Sequence, residues 1–504
     1  MSAKPRGKVW LVGAGPGDPG LLTLKAARVI GACDVLVYDY LASAAIVGLA
    51  SPACEKIYVG KKAGAHTLSQ DEITALIVRL GLEGRNVVRL KGGDVFVFAR
   101  GGEEAAELRA AGVAFEIIPG ITSAIAAPAY AGIPVTHRDH NTSFTIATGH
   151  EDPLKGYTSL DFEKLANPKQ TLIFLMAMGS LAGLVGKLLE HGMPREIPVG
   201  IVREGTKPTQ ETLIGTLGTI VDDVARVQFK APAIVVIGDV VSERETIRWF
   251  DNTPLFGKRV LVTRAAGDAV DFASKLWESG AEPVLAPTIA IGAPDDVEPA
   301  RAAIAALATY AWVVFTSQHG VDAAFATLAT SGGDARRFGS AKVAAIGPKT
   351  AQRLLAHGVR ADFVPPKFVA EDVATGLLEH ASRGDRVLLY GAQEMRDVIA
   401  TTLHDAGRVV DVVAGYKTAH VHDPAIAEAA ARCDIWTFTS ASTIASFLEN
   451  VPDAATRAQD KIVACIGPIT AAAARDAGLR VDIVPDDYTV DGLLEALEAI
   501  VATR

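Results

Sequence analysis

Gly13-Ala-Gly-Pro-Gly-Asp-Pro-Gly20 running into Leu21-Leu22-Thr23, Lys91-Gly-Gly-Asp94 followed by Arg100-Gly-Gly-Glu-Glu104, and Pro119-Gly-Ile-Thr-Ser123 are three glycine-rich stretches in the first quarter of the chain. Each follows an apolar run: Val9-Trp-Leu-Val12, Val87-Val-Arg-Leu90 and Phe115-Glu-Ile-Ile118. Glycine admits positive φ and close approach of the backbone to a ligand. Glycine loops at the carboxyl ends of neighbouring parallel strands build a small-molecule crevice. Between them, Leu22–Ile30, Gln70–Leu82 and Glu103–Ala111 read as helices, so the alternation predicts an α/β fold with a mostly parallel sheet. The first loop is not a dinucleotide fingerprint. Asp18 stands where the third glycine belongs, Pro16 and Pro19 occupy the loop, and no suitable acidic residue follows about 20 positions on.

The chain has 504 residues, which predicts more than one domain. Apolar residues at 49% supply large cores, and 21% charged residues argue against disorder. A net charge of −9 argues against a nonspecific nucleic-acid binder, and an anionic substrate then needs a local cluster of Arg and Lys. Cys33, Cys54, Cys433 and Cys465 form no close Cys-x-x-Cys pair and no zinc spacing, so reduced core thiols and no metal site are expected. Met1–Lys8 has no apolar signal region, and no uncharged run reaches the roughly 20 residues that span a bilayer. A cytoplasmic protein without a membrane partner is expected.

A second block begins near Thr171-Leu-Ile-Phe-Leu-Met176 and closes with Ala233-Ile-Val-Val-Ile-Gly238. The polar and aromatic stretch 249–257, with Pro254 and Gly257, reads as a linker between domains at 1–248 and 258–504. The second half carries an internal repeat. Ile346-Gly-Pro-Lys-Thr-Ala351 and Val364-Pro365 recur 120 positions on as Ile466-Gly-Pro-Ile-Thr-Ala471 and Val484-Pro485. Phe315-Thr-Ser317 recurs 123 positions on as Phe438-Thr-Ser440, and Val260-Leu-Val262 recurs 127 positions on as Val387-Leu-Leu389. Two successive α/β units around a cleft are expected. Gly-Pro-x-Thr-Ala at a helix start suits an anionic group, or Thr350 and Thr470 simply cap their helices.

The first half resembles the tetrapyrrole methylase family, which uses S-adenosylmethionine, and within it the uroporphyrinogen-III C-methyltransferases. Over roughly residues 8–243 the likeness rests on the three loops and on Val37-Tyr-Asp-Tyr-Leu41, Val59-Gly-Lys61, Ala129-Tyr-Ala-Gly-Ile-Pro-Val-Thr-His-Arg138, Thr148-Gly-His150 and Ala231-Pro-Ala233. The resemblance implies that Pro16, Gly92, Gly93, Asp94, Val97, Thr122, Ser123, Met176 and Gly205 line the S-adenosylmethionine pocket. It also implies Asp39 as general base and Lys61 as proton donor or substrate anchor. His137 and Arg138 offer positive charge to a carboxylate-rich substrate, as do Arg89 and Lys91 on one strand face. Without the resemblance Asp39 is equally a turn former, Lys61 a surface charge, Met176 core filler, and His137 with Arg138 a satisfied loop pair. Val95, Ala99 and Leu175-Met-Ala177 depart from the usual family pattern.

The second half resembles uroporphyrinogen-III synthase over about residues 257–500, on Val260-Leu-Val-Thr-Arg264, Tyr416-Lys-Thr418 and the repeated motifs. That family has two α/β lobes and no cofactor, and closes hydroxymethylbilane to uroporphyrinogen III with inversion of the last ring. The resemblance implies Tyr416 in departure of the substrate hydroxyl, and Thr350, Thr470, Ser317, Ser440 and Arg264 as carboxylate contacts. Otherwise Tyr416 is a strand-end aromatic with its hydroxyl in water. Together the two halves imply a bifunctional enzyme of siroheme or cobalamin synthesis that makes uroporphyrinogen III and methylates it twice to precorrin-2. A homodimer through the first half and no nucleic-acid partner are expected. The alternative is a methylase for another tetrapyrrole, with a second half that only binds substrate.

Overall fold

The apolar runs that precede the three glycine loops become adjacent strands. The computed structural model describes residues 7–60, 68–149, 158–366 and 370–501. In it β1 (Lys8–Gly13), β2 (Val35–Tyr38), β3 (Glu55–Tyr58), β4 (Val87–Lys91) and β5 (Ala114–Ile118) form one sheet in the order β3-β2-β4-β1-β5. The pairings are parallel. Because β4, β1 and β5 are neighbours pointing the same way, their three glycine loops leave from the same edge.

Side chains alternate across this sheet, as the two-residue period requires. Val12, Leu36, Val88 and Leu90 pack on one face with Ala26, Ile30 and Ile46. Val9, Leu11, Val35, Val37 and Val87 pack on the other with Ile73, Ile77, Leu80 and Leu108. The covering helices are Leu24–Ala32, capped by Thr23, and Gln70–Leu82, whose Ser69 and Glu72 form a capping box. A third, Gly101–Ala110, follows the second glycine loop.

A second sheet holds β6 (Phe144–Thr148), β7 (Thr171–Leu175), β8 (Pro198–Arg203), β9 (Glu211–Thr216) and β10 (Ala233–Ile237) in the order β6-β7-β10-β8-β9. Here the expectation of a mostly parallel sheet is corrected: only β6 and β7 pair in parallel, and the rest are antiparallel. The turn from β8 to β9 is too short for the crossover that parallel neighbours need.

The second half gives β11 (Arg259–Val262), β12 (Glu282–Leu285), β13 (Ile289–Gly292), β14 (Trp312–Phe315), β15 (Lys342–Ala345), β16 (Arg386–Ala392), β17 (Val409–His420), β18 (Ile435–Phe438) and β19 (Ile462–Cys465). They form two sheets, β12-β11-β18-β19 and β13-β17-β16-β14-β15. The repeat is visible atom for atom. Val343 N donates to Asp362 Oδ2 at 2.7 Å, and Val463 N to Asp482 Oδ2 at 2.9 Å. The two units are not successive, however. β11 belongs by sequence to the first repeat yet pairs with β18 of the second, while β16 of the second pairs with β14 of the first. Each lobe is therefore completed by strands of the other repeat.

Clustering of contacts divides the chain into two units. One runs to Arg259 and adds Lys275–Glu282 and the residues from Leu497; the other holds Val260–Ser274 and Pro283–Ala496. Within the stretch read as a linker, Phe250 and Leu255 are buried, and Trp249 and Phe250 pack edge-on against Tyr130. The four cysteines are buried and none is in a disulfide.

Candidate functional sites

In the first unit the glycine loops converge. Gly15 and Gly93 exchange backbone hydrogen bonds of 3.1 and 2.7 Å. A methyl on Gly120 would lie 2.3 Å from Gly93 O, and one on Gly13 would lie 2.5 Å from Gly120 N. Only glycine fits where three backbones meet so closely. Gly15 and Gly93 also sit at φ of +73° and +68°, which a side chain resists.

Asp94 ties the second loop to the third. Its Oδ1 accepts from Phe96 N and Val97 N at 2.8 and 3.2 Å, and its Oδ2 accepts from Gly120 N at 3.1 Å. Thr122 caps the helix Ser123–Tyr130, accepting from Ala124 N. The structure thus gathers the Pro16 loop, Gly92, Gly93, Asp94, Val97, Thr122 and Ser123. A side chain on Gly92 would press on Leu41, which brings in the turn that carries Asp39. Gly205 packs on Ala127 of the same helix, and the neighbouring buried Thr206 accepts from Asp18 N at 3.1 Å. Asp18 in turn accepts from Gly20 N and from the Tyr130 hydroxyl. Met176 is no core filler: it is exposed at the end of β7 with φ of 55°.

Asp39 follows β2. Its Oδ1 accepts from Leu41 N at 3.1 Å and its Oδ2 from the Arg89 guanidinium at 3.2 Å. Lys61 lies outside the described residues. Arg89 and Lys91 do not face a substrate, contrary to expectation. They are 3% and 5% exposed and turn inward to Glu104, which is 0% exposed. Glu104 Oε1 accepts from Lys91 at 2.8 Å, Gln70 at 2.9 Å and Arg89 at 3.5 Å. Burial, then the Arg89 charge, holds the Lys91 ammonium below its ordinary range, and Glu104 opposes the shift. Sequence reading missed Glu104, because two strand cations and an acid on a helix 13 positions from Lys91 give no local signal. Arg138 is exposed, whereas the His137 N–H donates to Asn141 Oδ1 at 2.8 Å.

In the second unit Tyr416 sits within β17 beside a bulge, where Ala392 pairs with Tyr416 after Gly391 pairs with Ala414. Its hydroxyl is held by a hydrogen bond within the protein. Tyr416 is buried and accepts from Ser317 Oγ at 2.9 Å, while Ser317 Oγ caps the helix Gln318–Thr330 by accepting from Gly320 N. Burial raises the phenol above its ordinary pKa, the Ser317 bond lowers it and the Asp268 charge raises it again. His319 stands edge-on to the Tyr416 ring at 5.6 Å. Its Nε2 is 3.0 Å from Asp268 Oδ2, and Gln318 Nε2 donates to Asp268 Oδ1 at 2.8 Å. Asp268 lies on the helix after β11 and Gln318 on the helix after β14, so these bonds span the two sheets. Arg264 is 4.0 Å from Asp268. Tyr416 and His319 line a cavity of about 500 Å³.

Thr350 and Thr470 are buried third residues of their helices, whose caps are Gly347 and Gly467; neither threonine is the cap. Neither they nor Ser440, which caps its own helix, line that cavity. Asp268, Gln318 and His319 were missed. The signal was an asymmetry between repeats: Gln318-His319 stands where the second copy has Ala441-Ser442.

A glycine-walled crevice with a carboxylate at its edge, followed by a duplicated two-sheet unit with a buried phenol above a cavity, defines a pair of α/β small-molecule enzymes in one polypeptide. Among the described residues no helix is long and apolar enough to cross a membrane. The profile of the tetrapyrrole (corrin/porphyrin) methylases matches residues 8–221, and that of uroporphyrinogen-III synthase HemD matches residues 270–495. The chain is 37% identical over 495 residues to the porphyrin biosynthesis protein HemD of Ruminiclostridium josui, covering 97% of both chains. It is 41% identical over 360 residues to a uroporphyrinogen-III C-methyltransferase of Bacillus subtilis, covering 71% of this chain and 74% of that one. It is 51% identical over 235 residues to an S-adenosyl-L-methionine-dependent uroporphyrinogen III methyltransferase of Methanosarcina barkeri, covering 47% of this chain and 92% of that one. The chain belongs to the tetrapyrrole methylases in its first half and to the uroporphyrinogen-III synthases in its second, a fusion of two enzymes of porphyrin metabolism.

Proposed function

We propose that the second unit closes hydroxymethylbilane to uroporphyrinogen III and that the first methylates this product at two pyrrole carbons, giving precorrin-2 for the siroheme or cobalamin branch. The observation that carries this reading is the joining of the two families in one chain, since the product of one is the substrate of the other. The full-length likeness to the R. josui protein supports it.

Gly13 and Gly120, where a Cβ would collide with the backbone of a neighbouring loop, let the three loops close on one another, and a nucleoside donor would lie against the loops they bring together. Gly92, Gly93, Thr122, Ser123 and the Pro16 loop would hold S-adenosylmethionine there, with Met176 and Gly205 at its border. When bound, that group supplies an electrophilic methyl. Asp94 sets the spacing between the second and third loops. Methylation leaves a pyrrole ring cationic until a proton departs, and Asp39, oriented by Leu41 N and Arg89, accepts that proton. Arg138 meets substrate carboxylates.

In the second unit Tyr416, a phenol protonated at neutral pH in any case, is raised further by burial. It donates to the departing hydroxyl of hydroxymethylbilane, which leaves as water, and the azafulvene cation then closes on the last ring. Little chemistry remains for the protein beyond holding the chain in the conformation that inverts that ring. Arg264 and Ser317 contact substrate carboxylates beside Asp268 and Tyr416, and Thr350, Thr470 and Ser440 do so from their helix starts. The first unit is proposed to pair as a homodimer, in the cytoplasm.

Supplying uroporphyrinogen III and labelled S-adenosylmethionine to the wild type and to Asp39→Asn tests the first half. Methyl incorporation is expected to fall about 100-fold in kcat with donor affinity kept. Undiminished incorporation contradicts the role given to Asp39.

A further inference from the structure

His137 and His140 stand in a tight turn after Val135. His140 N and Asn141 N both donate to His137 O, at 3.2 and 3.0 Å. The turn is fixed from beneath by Asn141, which is 9% exposed. Its side chain accepts from His137 N and donates to Val135 O, Ser143 O and Thr171 Oγ1. The two imidazoles lie 4.9 Å apart, centre to centre.

Glu243, 103 positions on in sequence, closes the group from the end of the short helix Asp239–Glu243. Its Oε1 is 2.7 Å from His140 Nε2. One donor atom from each of His137, His140 and Glu243 lies within 4.8 Å of the other two.

We propose that His137, His140 and Glu243 bind a divalent transition-metal ion that pins this turn to the helix Asp239–Glu243. Metal–nitrogen and metal–oxygen distances near 2.0–2.2 Å place the donors of one zinc-like ion about 3–3.5 Å apart. The donors, within 4.8 Å of one another, have to draw together by about 1–2 Å to reach that spacing. Two imidazoles and one carboxylate are borderline donors, which select zinc, cobalt or nickel over magnesium or calcium. All three residues are partly exposed, so water completes the coordination. The Asp139 carboxylate, 3.9 Å from His137 Nδ1, is the adjacent anion. The proposal does not depend on the tetrapyrrole chemistry, because its readout is metal binding itself.

The full-length protein, stripped with a chelator, is titrated with cobalt(II) and followed by visible absorption, with zinc(II) as competitor. One equivalent is expected to bind in the micromolar range. His140→Ala and Glu243→Gln should each weaken it by about 10–100-fold or more. Glu243→Gln nearly keeps the side-chain shape, so it remains informative should His140→Ala fold poorly. His420→Ala is the control, because His420 and His422 flank Glu449 elsewhere in the chain, at 2.9 and 3.7 Å. Binding weaker than about 1 mM in the wild type overturns the proposal. So does binding that His420→Ala abolishes while His140→Ala and Glu243→Gln leave it intact.

Discussion

Glu104→Gln tests whether the buried acid beneath the first sheet compensates the two strand cations. Glu104 is 0% exposed and its Oε1 accepts from Lys91, Gln70 and Arg89, while Oε2 has no hydrogen-bond partner among the described residues. Glutamine keeps the volume and one acceptor but removes the charge. Lys91 and Arg89 are then left with Asp39, which meets Arg89 alone at 3.2 Å. Breaking a buried ion pair by removing one partner costs about 3–5 kcal/mol, and the retained acceptor puts this variant near the lower end. A loss of about 3 kcal/mol corresponds to roughly 150-fold in the opening equilibrium.

The assay is native-state hydrogen exchange by mass spectrometry on peptides covering β4 and the helix Gly101–Ala110, where that factor appears as faster exchange of the most protected amides. The pH dependence has a definite sign. Folded Lys91 already titrates below its ordinary range, and without Glu104 it falls further. Between that folded pKa and the unfolded value near 10.4 the unfolded chain binds more protons, so stability rises with pH. The deficit of the variant should therefore shrink toward pH 10. Exchange accelerated less than about threefold at pH 7, or a deficit that grows with pH, refutes the reasoning.

Gly120→Ala places a methyl 2.3 Å from Gly93 O, so the third loop must move off the second. S-adenosylhomocysteine binding by calorimetry should weaken by about 100-fold with the circular dichroism unchanged, and wild-type affinity would contradict the convergence of the loops. Tyr416→Phe removes the phenol proton and should slow formation of the type III macrocycle by about 100-fold, with type I accumulating; an unchanged rate and isomer ratio count against Tyr416. Asp268→Ala removes the acceptor of Gln318 and His319 and should cost the second unit about 1.5–3 kcal/mol in a urea melt at pH 7. The Asp268 carboxyl is held below its ordinary range, first by the His319 bond, so its contribution is present above the unfolded pKa near 3.9 and is lost as pH falls through the folded value. A difference between wild type and variant that persists below that window refutes the assignment.

The glycine loops were legible because each demand on them is local: a β-branched run, then residues that tolerate positive φ. The helix Gln70–Leu82 was legible in full because Ser69 and Glu72 mark its start and its apolar spacing marks its face. β6 was not, since Phe-Thr-Ile-Ala-Thr is short and two of its side chains are polar. The repeat was legible as sequence, but the exchange of β11 and β16 between lobes was not. Pairing partners are chosen by tertiary packing, and the likeness of β11 to β16 does not say which sheet each joins. The same holds for the sites. Tyr416 stood out, whereas Asp268, Glu104 and Glu243 act only through residues brought to them across the fold. Arg89 and Lys91 were misread because a strand pattern does not tell which face is covered by a helix that bears an acid.

The most direct test of the central claim is to incubate the purified chain anaerobically with hydroxymethylbilane and S-adenosylmethionine and to resolve the products by mass and isomer. A doubly methylated type III product is expected, formed by one polypeptide from the linear substrate. Type I macrocycle, methylated or not, would contradict the account of the second unit, and type III macrocycle without added methyl groups would contradict that of the first.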